Sequence, residues 1–283
     1  MIEISFIAKI AEKILRFTKP KYMDSQTSVD DFLANKNEPS KKPIKSVFKS
    51  IDFNGMQVFT FGNKENCENI IIYIHGGAYV NEINYQHHLY CRKLSRKLNS
   101  YVLAPVYGLA PKHKSQETFD GVRELYEDLL KTNANITLMG DSAGGGFVLS
   151  FAQYLKTINL AQPEHIIVFS PWVDISMGNP PYDSENDPIL GEIGLKEIGK
   201  SWAGNLDTKD YRVSPLYGDN TNLARTLIFA GTNEIFYKDI KKYVENSDNA
   251  RLITGNGLFH IYPLFPIPEA KKAFDEIKKE IME

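Results

Sequence analysis

A mostly parallel, doubly wound α/β sheet flanked by helices is the fold class that this 283-residue sequence predicts. Three observations predict it. Short β-rich runs recur from Ser46 onward with helical segments between the later ones. Several runs, Ile70–Ile71–Ile72–Tyr73–Ile74 above all, are continuously apolar rather than alternating, as a strand buried on both faces of a helix-covered sheet must be. The alternation then breaks between Trp172 and Ser214, where such folds carry an insertion at the end of a strand.

The elements follow in order. Phe6, Ile7, Ile10, Ile14 and Phe17 recur at helical spacing and predict an amphipathic helix ending before Pro20. Its apolar stripe is expected to pack on its own domain rather than on a membrane surface. Lys21 to Pro43 is polar, carries Pro39 and Pro43, and reads as a loop or arm. Eight strand runs are predicted: Val47–Ile51, Gln57–Phe61, Asn69–Ile74, Tyr101–Ala104, Ile136–Met139, His165–Phe169, Thr226–Ala230 and Arg251–Thr254. Helices are placed at Tyr85–Leu98, Gln116–Leu130, Ala143–Ile158, Tyr237–Asn246 and Glu269–Ile281. The insertion holds Pro180, Pro181 and Pro188 and a helix around Ile193–Trp202. One domain over 1–283 is therefore expected, with cap elements from 1–45 and 172–213.

Composition removes several function classes. Hydrophobic residues at 42% and charged residues at 24% are those of an ordinary globular protein, not a disordered chain. A formal net charge of -2 offers no basic field for nucleic acid, and Lys41, Lys42, Lys45 and Lys49 read as solvated surface. Cys67 and Cys91 form neither a CxxC nor a His/Cys cluster, which excludes a disulfide framework and a structural zinc site but leaves one bridge open. Met1 to Pro20 is interrupted by Glu3, Lys9, Glu12 and Lys13 and lacks a secretory cleavage pattern. With no apolar run of about 18 residues, neither membrane insertion nor export is expected, and the protein is placed in the cytoplasm.

The chemistry begins at Gly140-Asp141-Ser142-Ala143-Gly144-Gly145, between a predicted strand and a predicted helix. Gly-x-Ser-x-Gly in that context is a nucleophile elbow. The serine needs a tight turn to project its hydroxyl above the sheet, and side chains at Gly140 and Gly144 would crowd that turn. The helix start also offers free N–H groups to developing negative charge. A phosphate loop would require Gly-Lys-Ser/Thr, which is absent here.

His75-Gly76-Gly77-Ala78-Tyr79 follows the most apolar strand. Backbone N–H groups of Gly76 and Gly77, with that of Ala143, are the expected oxyanion donors. His75 is read as a brace for the loop. Among six histidines, the chain order serine, acid, histidine leaves His260, in the loop after the last strand, as the base. His165 begins a strand and reads as a buried structural histidine. The acid belongs after Thr226–Ala230, where Glu234 lies; Asp239, a turn into the next helix, is its competitor and suits a surface or capping role better.

With these residues in place, the chain resembles the hormone-sensitive-lipase-like esterases, the HGG-containing branch of the α/β-hydrolases. The matches are His75-Gly76-Gly77, Gly140 to Gly145, Ser170-Pro171-Trp172-Val173-Asp174, Asp187-Pro188-Ile189-Leu190, Ser214-Pro215-Leu216-Tyr217-Gly218 and His260-x-Tyr262. They run from about residue 45 to the C-terminus. The resemblance implies an α/β-hydrolase fold with an eight-stranded sheet, a helical cap from N-terminal and inserted segments, and hydrolysis of short acyl esters. Three departures stand out. The family's Tyr-Arg-Leu-Ala-Pro-Glu appears as Tyr107-Gly108-Leu109-Ala110-Pro111-Lys112, the third small residue of the HGG loop is Ala78, and the acid is Glu234 where Asp is commoner.

The expected activity is that of a serine carboxylesterase working through a Ser142–Glu234–His260 triad and an acyl-enzyme, on a small-molecule ester, without metal or organic cofactor. An arylformamidase, or a deacetylase of sugars or xenobiotics, would use the same triad. A small-molecule binder of the gibberellin-receptor type is the non-enzyme alternative, against which the complete triad argues.

Overall fold

The computed structural model describes residues 1–18, 29–31, 33–34 and 47–282. The arm expected at Lys21–Pro43, the N-terminal cap portion beyond residue 18 and the lysines 41, 42 and 45 lie largely or wholly outside these residues.

Among the described residues, nine strands form one sheet in the order β1-β9-β8-β7-β6-β4-β5-β3-β2. They are β1 (Ile2–Glu3), β2 (Ser50–Phe53), β3 (Met56–Phe61), β4 (Asn69–Ile74), β5 (Ser100–Pro105), β6 (Asn135–Asp141), β7 (His165–Phe169), β8 (Arg225–Gly231) and β9 (Ala250–Asn256). All neighbours from β1 to β5 in that order are parallel, and only the β5-β3-β2 end is antiparallel. The eight expected strands are present. The ninth, β1, pairs Ile2 and Glu3 with Gly255 and Asn256; two residues are too short to show periodicity in sequence. The first expected strand sits further along because Asn54 and Gly55, with φ 50° and 86°, make the two-residue turn that joins β2 to β3.

Helices α2 (Tyr85–Leu98) and α7 (Pro268–Met282) cover one face of the sheet with α1 (Phe6–Thr18). The opposite face carries α3 (Ser115–Leu130), α4 (Ser142–Thr157), α5 (Glu192–Ala203) and α6 (Tyr237–Glu245). The apolar run of β4 accounts for both layers. Ile70, Ile72 and Ile74 enter the core under α3 and α4, while Ile71 and Tyr73 enter the core under α2 and α7.

Within the insertion, α5 is held by aromatic stacking. Trp202 lies flat on Tyr79 at 4.2 Å between centroids with 3° between planes, and edge-on to Tyr107 at 6.3 Å. Such pairs contribute about 0.5–1.5 kcal/mol each beyond area burial. The insertion is thereby fixed to the loop after β4.

One expectation is reversed. Helix α1 forms, with the Ser5 hydroxyl accepting the Ala8 N–H at 3.2 Å, but it buries Ala8 and Leu15. Phe6, Ile7, Ile10, Ile14 and Phe17, the stripe expected to pack on the domain, are exposed. Periodicity identified the helix and not the direction it faces, because the bonds that fix its roll are polar. Ser5 N–H reaches Glu269, and the Arg16 guanidinium reaches the carbonyls of Glu185 at 3.1 Å and Asn186 at 2.6 Å. The two cysteines are both free, Cys91 being buried.

Candidate active site

The parallel pairing β4-β6-β7-β8-β9 brings five strand C-termini side by side, and each candidate residue follows one of them. Ile74 pairs with Gly140, so the loop beginning at His75 and the elbow at Ser142 leave adjacent strands at the same height.

Ser142 opens α4 with φ 51°, a left-handed conformation that a non-glycine residue adopts at a cost of order 1–3 kcal/mol. The turn is enforced by close packing. A Cβ at Gly144 would run into the Ile74 carbonyl oxygen, so α4 can approach β4 only with glycine there. The Ser142 carbonyl accepts the Trp172 N–H at 2.9 Å, which ties the elbow to the segment after β7.

The imidazole Nε2 of His260 lies 2.9 Å from the Ser142 hydroxyl oxygen. Its ring is buried, with Phe236 edge-on at 5.4 Å, and burial lowers its pKa from the usual histidine value to about 3. The ring is therefore uncharged at ordinary pH. Its Nδ1 is 3.9 Å from Glu234 Oε2, beyond hydrogen-bond reach, and among the described residues neither Nδ1 nor Glu234 Oε1 has a hydrogen-bond partner.

Glu234 is held by donors rather than by the histidine. Its Oε2 accepts the Ser170 hydroxyl at 2.6 Å and the Gly231 N–H at 3.2 Å. Burial, joined by the nearby Asp187 charge, pushes its carboxyl above the usual carboxylate range, and the two donors oppose that. Asp187 is itself spent on backbone, accepting N–H groups from Ile189, Leu190 and Ile235. Ser170, at the end of β7, also accepts the Ile261 N–H at 2.8 Å. One hydroxyl thus joins the acid to the histidine loop. In the sequence only the Ser170-Pro171-Trp172 motif at a strand end signals Ser170.

The oxyanion expectation needs a correction. The Gly76 N–H donates to Asp141 Oδ1 at 3.0 Å and is already spoken for. Among the described residues the N–H groups of Gly77, Ala78 and Ala143 make no hydrogen bond. Gly77 at φ 119°, Ala78 at 53° and Tyr79 at 60° form the turn. Asp141 organises it, taking the Tyr73 hydroxyl at 2.7 Å and facing His87 Nε2 at 3.4 Å. Burial works against the Asp141 charge, but His87, the Tyr73 hydroxyl and the Gly76 N–H outweigh it and hold its carboxyl below the ordinary range.

His75 braces the loop, its Nδ1 2.7 Å from the Gly76 carbonyl and its ring stacked on Tyr107 at 4.4 Å. The missing arginine of the 107–112 stretch has a local account: a Cβ at Gly108 would lie 2.6 Å from the His113 ring, which fills that space. His165 is buried, 3.9 Å from Glu280. Asp239 is not at the surface. It is buried and accepts from Asn179 Nδ2 at 3.1 Å and the Tyr182 hydroxyl at 3.1 Å, within a cluster containing Asp174. Burial, with Asp174 nearby, raises its pKa to about 6.

A family model described as alpha/beta hydrolase fold matches residues 71–263, the span from β4 through the histidine loop. An esterase of Acinetobacter venetianus is 28% identical over 222 residues, covering 74% of this chain and 73% of that protein. An acetyl-hydrolase of Streptomyces hygroscopicus is 24% identical, covering 72% of each. The crystal structure of an esterase from the bacterial hormone-sensitive lipase family superposes with a TM-score of 0.80 at 23% identity, over 98% of both chains.

Proposed function

The chain belongs to the α/β-hydrolase fold family, and on that premise we propose that it is a serine carboxylesterase acting on short acyl esters. The observation that carries the reading is the 2.9 Å approach of a neutral, buried imidazole to a serine hydroxyl on a strained elbow. His260 Nε2 takes the Ser142 proton as Oγ bonds to the ester carbonyl carbon. The oxyanion so formed is met by the N–H groups of Gly77, Ala78 and Ala143. Collapse expels the alcohol, which takes the proton back from His260, and water releases the acid by the reverse path. Glu234 favours the charged imidazolium through its own charge, closing on Nδ1 when the ring becomes a cation. The same hydroxyl–imidazole contact favours an enzyme over a silent binder.

Residues 172–213 act as the cap, since α5 rests on Tyr79 beside the oxyanion turn. Tyr79, Trp172 and Phe147 are buried in one core cluster around the start of α4, and the short-chain preference takes these bulky side chains to narrow the space beside Ser142. The acetyl-hydrolase likeness supports the same preference.

The test is a panel of p-nitrophenyl acetate, butyrate and decanoate beside N-formylkynurenine, with Ser142→Ala as control. Acetate and butyrate should turn over fastest, and Ser142→Ala should fall by at least about 10³-fold in kcat while staying folded. Faster decanoate hydrolysis removes the short-chain claim, and preferred cleavage of the formamide makes the chain an arylformamidase.

A further inference from the structure

The layer α1–α7–α2 combines two features that ester hydrolysis does not use. The first is the outward face of α1. Phe6 is 76% exposed, Phe17 80%, Ile7 54% and Ile10 44%, although helices normally bury such residues. At 3.6 residues per turn, Phe6, Ile10 and Phe17 fall within about 40° of one another, and Lys9 and Lys13 border them on one side. The opposite side of the helix is fixed to the protein through buried Ala8 and Leu15, and Glu12 and Arg16 tie its flank to Asn233 and to the carbonyls of Glu185 and Asn186. The face therefore cannot roll inward without breaking those bonds.

The second feature is a basic groove on α2, lined by Leu89, Arg92, Lys93, Arg96 and Lys97. Lys93 lies over the Phe274 ring of α7 with Asp275 nearby, whereas Arg92, Arg96 and Lys97 form no ion pair among the described residues. Helix α7 packs against both α1 and α2, so the apolar face and the basic groove belong to one helical layer.

We propose that this layer is a docking surface for an anionic phospholipid bilayer, with the apolar face of α1 entering the interface and the cations of α1 and α2 lying on the headgroups. Apolar area with flanking lysines is the chemistry of interfacial binding, and a basic groove beside it matches a negative lipid surface. No described helix is long and apolar enough to cross a membrane, so the attachment is peripheral. Through Arg16 and the Glu12–Asn233 contact, α1 also adjoins the loops carrying Asp187 and Glu234, so a docked enzyme holds its catalytic edge near lipid.

The test is co-sedimentation of the full chain with phosphatidylcholine vesicles, with and without phosphatidylglycerol, at low and high salt. The protein should bind the anionic vesicles, bind phosphatidylcholine much less, and be released by salt. Phe6→Ser/Phe17→Ser should lower the partition coefficient by at least about tenfold. Arg92→Gln/Arg96→Gln/Lys97→Gln should lower it by about tenfold or more on anionic vesicles alone. Both proteins should keep wild-type turnover of p-nitrophenyl acetate, which reports folding. Ser142→Ala should bind vesicles like wild type, so a failed esterase assignment and a failed docking surface give different results. Absence of vesicle binding, or equal binding to both vesicle types, overturns the proposal. So does a stable dimer in sedimentation velocity that Phe6→Ser/Phe17→Ser dissolves while vesicle binding is unchanged.

Discussion

Replacing Ser170 by alanine isolates the part of the site that holds the acid and the base in register. The Ser170 hydroxyl donates to Glu234 at 2.6 Å and accepts from the Ile261 N–H at 2.8 Å; Ser170 and Glu234 are buried and Ile261 is half-buried. A hydrogen bond to a charged group contributes about 1.5–3 kcal/mol. If most of that is felt in the transition state, kcat falls roughly 10- to 100-fold at about 1.4 kcal/mol per decade. KM should change little, since Ser170 is fully buried with its hydroxyl turned to Glu234 and Ile261. The pH profile gives the more specific signature. Burial and Asp187 already push the Glu234 carboxyl up, and Ser170 is the strongest opposing donor. Its loss raises that pKa further, so the acid limb of kcat/KM should move to higher pH. Steady-state kinetics between pH 4 and 9, with a thermal melt as control, make the measurement. A folded Ser170→Ala enzyme with kcat within twofold of wild type and an unmoved acid limb would refute the reasoning.

The remaining predictions concern neighbouring positions. Glu234→Gln should lose on the order of 10⁴ in kcat, whereas Asp239→Asn should lose less than about tenfold, because Asp239 is bonded to Asn179 and Tyr182 rather than to His260; the reverse ranking would move the acid to Asp239. Asp239 also predicts a stability effect. Its pKa is raised from 3.8 to about 6 on folding, so the folded state binds the extra proton, and stability present below about pH 4 is lost as pH rises to 6. Asp239→Asn should therefore flatten the urea-measured stability slope between pH 4 and 6 by about 1–2 kcal/mol; an unchanged difference between variant and wild type across that range would count against it. Gly144→Ala should destabilise the fold by roughly 1–3 kcal/mol and lower kcat, because its methyl meets the Ile74 carbonyl; wild-type melting and turnover would show that the elbow tolerates a side chain.

The sequence carried most of the frame because the frame is local. The run Ile70–Ile74 announces a doubly covered strand by its lack of alternation, and glycines around Ser142 announce a turn that no side chain permits. Serine, acid and histidine could be ordered because each follows its own strand. What escaped is what depends on roll and on competing hydrogen bonds. The period of Phe6, Ile10 and Phe17 identifies a helix, but polar anchors at Ser5 and Arg16 turn its apolar stripe outward. Gly76 looked like an oxyanion donor until Asp141, distant in sequence, claimed its N–H. Asp239 reads as a helix-start acid, and only tertiary packing buries it against Tyr182. The link through Ser170 is equally invisible, since its two partners lie 64 and 91 residues away.

The central claim is that Ser142 is a nucleophile activated by His260, and its most direct test is covalent capture. The wild-type protein should react with a fluorophosphonate at one site per chain, and peptide mass spectrometry should place the adduct on Ser142. His260→Ala should slow that labelling by at least about 10³-fold, since the hydroxyl then has no base. An adduct on another residue, or labelling that proceeds at the wild-type rate without His260, would contradict the account.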